Sequence, residues 1–83
     1  MAATLNFRRN LQTAIDANWG GNQTRVALAA GVSRPYLNRV LKGKTTPAID
    51  QCERLAKAAG FPLVALLGSP EEFSETVLTA VND

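Results

Sequence analysis

Ser33-Arg-Pro-Tyr-Leu-Asn-Arg-Val-Leu-Lys42 is the stretch of this chain whose side-chain types and spacing could do chemistry. Wound as a helix from Arg34, it places Tyr36, Leu37, Val40 and Leu41 between roughly 200° and 340° around the axis. Arg34, Pro35, Asn38, Arg39 and Lys42 then share roughly 0° to 140°. One face is apolar; the other carries two guanidinium groups, an amide and an ammonium. That chemistry is recognition. The planar fork of Arg donates two hydrogen bonds to paired acceptors, the Asn amide donates and accepts together, and Lys offers a point charge to phosphate. Catalysis is poorly provided for. The chain has no His, so it lacks the commonest general base, and no Ser or Cys stands in an arrangement resembling a triad. Cys52 is alone, which rules out an intramolecular disulfide, and the usual zinc ligand sets cannot be assembled without His. Neither an enzyme nor a metal or cofactor site is expected.

The charge is divided along the chain in a way that fits a polyanionic partner. Residues 1–47 carry Arg8, Arg9, Arg25, Arg34, Arg39, Lys42 and Lys44 against Asp16 alone, a balance of +6. Residues 48–83 carry Arg54 and Lys57 against Asp50, Glu53, Glu71, Glu72, Glu75 and Asp83, a balance of −4. One end of the molecule should attract polyanions and the other repel them. No apolar run is long enough to span a membrane. The start, Met1-Ala-Ala-Thr-Leu-Asn-Phe-Arg-Arg9, lacks the order of regions that a secretory signal needs, so a cytoplasmic location is expected.

The elements that must hold the polar face read as helices, because apolar residues recur at three- and four-residue spacing and no segment alternates strictly. With 83 residues the chain can bury one modest core. The expected fold is all-α: a compact bundle of five short helices over residues 1–68, with a C-terminal helix over 69–83. Helix 1 should start after Asn6 as N-cap and run to about Ala17, burying Phe7, Leu11, Ala14 and Ile15. Helix 2 should run from about Asn22 or Gln23 to Ala30, with Val26, Ala27 and Ala30 inward and Gly31 in the left-handed conformation that ends it. Ser33 should cap helix 3, which accepts Pro35 in its first turn. Helix 4 should open with Thr46 as N-cap and Pro47 at the first position, and close at Gly60. A short helix through Leu63–Leu67 follows. Ser69-Pro70-Glu71-Glu72 should open the last helix, with two acids beside the positive end of its dipole.

Two short helices crossing closely within Gln23–Lys42 require a tiny residue at Ala27, a glycine at Gly31 and apolar plugs at Val32, Leu37 and Val40, and all are present. At these residues the chain resembles the lambda repressor/Cro-like family of helix-turn-helix DNA-binding proteins. Gly43-Lys-Thr-Thr-Pro47 and Leu55-Ala-Lys-Ala-Ala-Gly-Phe61 extend the likeness, which covers roughly Phe7 to Leu67. Leu41 departs from it, standing where many members carry an acid that pairs with a base in helix 1.

The resemblance implies that the start of helix 2 meets DNA phosphates while the outer face of helix 3 meets base edges in the major groove. Ser33, Arg34, Pro35, Asn38 and Arg39 match the base-reading positions; Arg suits guanine, Asn suits adenine, and Pro35 offers apolar contact. Asn22, Gln23, Thr24, Lys42 and Lys44 match the backbone side. Arg8 and Arg9, on helix 1, are expected to be solvated. Trp19 and Tyr36 are expected to pack, Tyr36 with its hydroxyl at the edge of the core, and Cys52 to be a small half-buried apolar group.

The partner implied is double-stranded DNA, an operator with palindromic half-sites bound by a homodimer, since one such module buries little surface. Phe73, Val77 and Val81 form a stripe on the last helix and are the expected dimer contacts, together with Leu63–Leu67. The leading reading is a phage or bacterial repressor. Two others are compatible with the residues: an antitoxin that regulates its own operon and binds a toxin on its C-terminal half, and a helical protein-interaction module without DNA contact.

Overall fold

The structure is a computed structural model that describes residues 2–82, with side chains for residues 5–78. Among the described residues there are six helices and no strand: α1 (Ala2–Trp19), α2 (Gln23–Ala30), α3 (Arg34–Leu41), α4 (Ile49–Ala59), α5 (Leu63–Leu67) and α6 (Pro70–Asn82). No helix is long and apolar enough to cross a membrane.

Four helix ends follow from capping chemistry, and those at Gly31, Ser33 and Ser69 do so as expected. The Asn22 side chain accepts the Arg25 N–H at 3.1 Å and starts α2, and Gly31, at φ 75°, ends it. The Ser33 hydroxyl accepts the Tyr36 N–H at 3.2 Å and starts α3. The Ser69 hydroxyl accepts the Glu72 N–H at 3.2 Å and starts α6.

Two starts differ from expectation. Asn6 lies inside α1 rather than at its cap, because the good helix formers Ala2 and Ala3 let the helix continue upstream. Its amide instead donates to the Leu67 carbonyl at 3.5 Å. Thr46 and Pro47 lie outside α4, which begins two residues later with Ala48 at its N-cap and no side-chain cap. Pro47 is half-buried and lines two clefts together with Phe7 of α1, and the extended backbone at Ala48 delays the start of the helix.

The core runs through all six helices. Phe7, Leu11, Ala14 and Ile15 of α1 meet Val26, Ala27 and Ala30 of α2, Leu37, Val40 and Leu41 of α3, Leu55, Ala56 and Ala59 of α4, and Leu66 of α5. Leu41 thus fills with packing the place where the resemblance sets an ion pair. Helix α6 lies along α1 and joins this core, with Phe73 1% and Val77 8% exposed and the Phe73 ring edge-on to Phe61 at 5.0 Å. The two residues expected at a dimer contact therefore face their own domain. Phe73 and Val77 are thus part of the core, Phe73 against Phe61. The Val81 side chain lies outside the described residues.

Side chains of α1 also serve the C-terminal carbonyls of other helices, which have no intrahelical donor. Buried Asn10 donates to the Leu66 and Gly68 carbonyls, each at 2.9 Å. The Asn18 amide donates to the Ala59 carbonyl at 2.9 Å, and Trp19 Nε1 to the Ala58 carbonyl at 3.0 Å. Helix α1 is the post against which the remaining helices are set, and α3 is fixed by what α1, α2 and α4 leave exposed.

Candidate nucleic-acid interface

Three constraints aim α3. Its apolar face is buried by Leu37, Val40 and Leu41; Ala27, 2% exposed, fits beneath the crossing of α2 and α3; and Gly31 turns the chain between them. The opposite face must then look outward. Ser33, Arg34, Pro35, Arg39 and Lys42 are exposed on it, and Asn38 is half-buried where α3 passes the start of α2. Beside it lie Asn22, Gln23 and Thr24. Beyond its C-terminal end the chain turns through Gly43, at φ 75°, where the Lys44 N–H donates to the Arg39 carbonyl at 2.9 Å. The structure thus brings Asn38 of α3 to Gln23 at the start of α2 and sets Lys44 just past the C-terminal end of α3.

Two contacts hold parts of this face in place. The Asn38 amide donates to Gln23 Oε1 at 3.4 Å, a long bond that joins α3 to the start of α2. The Arg39 guanidinium carbon lies 6.0 Å from the centre of the Tyr36 ring, within reach of a cation–π attraction. Tyr36 is anchored in turn by donating its hydroxyl proton to Gln51 on α4. Burial raises the Tyr36 phenol above its ordinary range, and nearby Cys52 adds to the effect, so the phenol remains a donor at neutral pH. Asn22 and Ser33 each commit a side-chain oxygen to a helix end, leaving the Asn22 amide N–H and the Ser33 hydroxyl proton as donors outward.

The electrostatics are one-sided. No Asp or Glu occurs in the sequence between Asp16 and Asp50, a stretch that carries Arg25, Arg34, Arg39, Lys42 and Lys44, and Asp50 on α4 is the acid whose charge reaches Tyr36 of α3. The acids cluster on α4 and α6, with Asp50, Glu71 and Glu72 in their first turns. Among the described residues, no three His, Cys, Asp or Glu side chains gather where they could hold a metal ion.

Arg8 departs from its expected solvated position. Its guanidinium lies against the turn after α3, with Nη1 and Cζ at 3.0 and 3.2 Å from where a Cβ on Gly43 would stand. Neither local spacing nor capping chemistry announces a contact between residues this far apart in the chain. The only available signal was the position of Arg8 next to Phe7 on the α1 face that meets the core.

A family model described as helix-turn-helix matches residues 20–66, from the turn before α2 to the end of α5. No curated protein and no solved structure matches the chain.

Proposed function

The chain belongs to the helix-turn-helix family of lambda repressor/Cro-like DNA-binding proteins, and on that premise we propose that it is a transcriptional repressor of phage or bacterial kind that occupies an operator as a homodimer. The observation that carries this reading is the outward face of α3. Arg34, Asn38 and Arg39 stand on it together, beside the start of α2, within a stretch that has no acid. An α-helix fits the major groove of B-DNA, which is about 12 Å wide. In that groove Arg can take guanine O6 and N7 together and Asn can take adenine N6 and N7, while Gln23, Thr24, Lys42 and Lys44 hold the phosphates on either side. Repression follows from occupancy, since a protein lying across a promoter keeps polymerase from it.

For the dimer, the support lies in exposed apolar residues other than Phe73 and Val77. Ile49, 69% exposed, lines a groove with Leu63 and Leu67, and Val64 on the same short helix α5 is 76% exposed. Ile49 follows closely on the turn after α3. A second copy seated there would bring the two α3 helices to the same side of a duplex, as half-sites about one helical turn apart require.

Titration of a duplex carrying the operator at increasing salt tests the DNA reading. The logarithm of the binding constant should fall with slope about 0.9 per phosphate neutralised. Binding indifferent to salt would contradict it.

A further inference from the structure

We propose that the outer face of α6 of one copy of this chain docks into a groove between α2 and α4 of the next, a head-to-tail contact that links copies in series. The groove, of about 650 Å³, is lined by Leu28, Ala29 and Gly31 at the end of α2 and by Arg54, Lys57 and Ala58 of α4. Asp50 and Glu53, the acids of α4, do not line it. Leu28 is 76% exposed, with the exposed cations Arg54 and Lys57 beside it. An apolar side chain next to two cations calls for a partner that brings an apolar anchor and carboxylates.

The chain carries such a partner itself. On α6, at about 100° per residue, Glu71, Glu75 and Leu78 fall within about 60° of one another, on the side opposite buried Phe73 and Val77. Leu78 is 60% exposed and both glutamates are exposed, so α6 offers outward two carboxylates and an apolar side chain. Within one molecule the two faces are held apart, because α6 packs against α1 while the groove opens where α2 meets α4. A patch and its complement at different places on one chain make a heterologous contact, which repeats from copy to copy instead of closing on a two-fold axis. It shares no residue with the groove of Ile49, Leu63 and Leu67, and α6 lies beyond the matched residues 20–66. Each exposed ion pair contributes little and is screened by salt, so free copies should meet weakly. Copies held on neighbouring DNA sites stand at an effective concentration on the order of millimolar, where a weak contact suffices. The consequence is cooperative filling of adjacent operators, which rests on the DNA-binding reading above, whereas the contact itself does not.

Charge exchange in the full chain tests the contact. Arg54→Glu with Lys57→Glu turns the groove acidic, and Glu71→Lys with Glu75→Lys turns the α6 face basic. Wild type at low salt, at concentrations on the order of millimolar, should grow heavier with concentration in sedimentation. Either variant alone sets like charges against each other and should keep one mass, whereas an equal mixture of the two restores opposite charges at the contact and should grow heavier again. On a duplex with two tandem operators wild type should fill the second site about 5- to 10-fold more tightly than the first, and each variant should lose that gain. Circular dichroism checks the fold, and Leu28→Ser, at an exposed position, should weaken association by itself even if a charge-reversed variant does not fold. A mixture no heavier than its separate components would overturn the contact, and so would association of wild type that the variants and Leu28→Ser all keep. If wild type bound no duplex, the DNA reading would fall while the sedimentation result would still decide the contact.

Discussion

Arg34, Asn38 and Arg39 differ in what holds them, and that difference sets what each substitution should do. Arg34 is free to swing at the start of α3, Arg39 lies near the Tyr36 ring, and Asn38 is tied to Gln23. Arg34→Ala and Asn38→Ala should each remove about 1–3 kcal/mol of discrimination between the operator and a mismatched site. Lys44→Ala should weaken both duplexes alike. Paired titrations on the two duplexes separate these outcomes, and equal losses on both duplexes for all three variants would mean that the roles are wrongly assigned. A pH dependence also belongs at this scale. Burial first, and the nearby Asp50 carboxylate second, raise the Cys52 thiol above its ordinary range. A group whose pKa is raised by folding contributes stability below its unfolded pKa and loses it as pH climbs towards the folded value. Resistance to urea should therefore decline as pH rises past the ordinary thiol range, and Cys52→Ala should lessen that decline. The outer face of α3 was legible in the sequence because spacing on a single helix determines it. The contact of Arg8 with Gly43 was not, since it depends on how two distant elements pack.

At the scale of the element, most ends that carry their own capping residue were readable: Gly31, Ser33, Gly60 and Ser69 all act where local chemistry places them. Thr46-Pro47 has the same local signature and does not start a helix. Nothing local separates it from Ser69-Pro70, which does start a helix; at the start of α4 Ala48 takes the N-cap instead. The ties from α1 to the ends of α4 and α5 were also invisible in sequence, because an Asn on a helix gives no sign of a carbonyl brought to it by folding. Asn10 should matter most among them, being buried and bonded twice. Asn10→Leu leaves the Leu66 and Gly68 carbonyls without this donor, and should cost about 1–3 kcal/mol in urea unfolding. A stability unchanged by that substitution would mean that α5 is held by packing alone.

The molecule as a whole is polarised, with the basic stretch on α2, α3 and the turn after α3, and the acids on α4 and α6. The division of charge and the all-helical class were legible from composition and periodicity. The inward turn of α6 was not, because an amphipathic helix reads the same whether its stripe meets its own domain or another chain. If Phe73 is part of the fold, Phe73→Ala should cost about 3–5 kcal/mol of stability. A variant with wild-type stability that failed to dimerise in sedimentation would instead return Phe73 to an interface. The central claim is that this chain reads sequence in duplex DNA with the outward face of α3, and selection of bound duplexes from a random pool tests it most directly. Wild type should enrich one palindromic site whose half-sites lie about one helical turn apart. Recovery of a pool as random as the one supplied would contradict the claim.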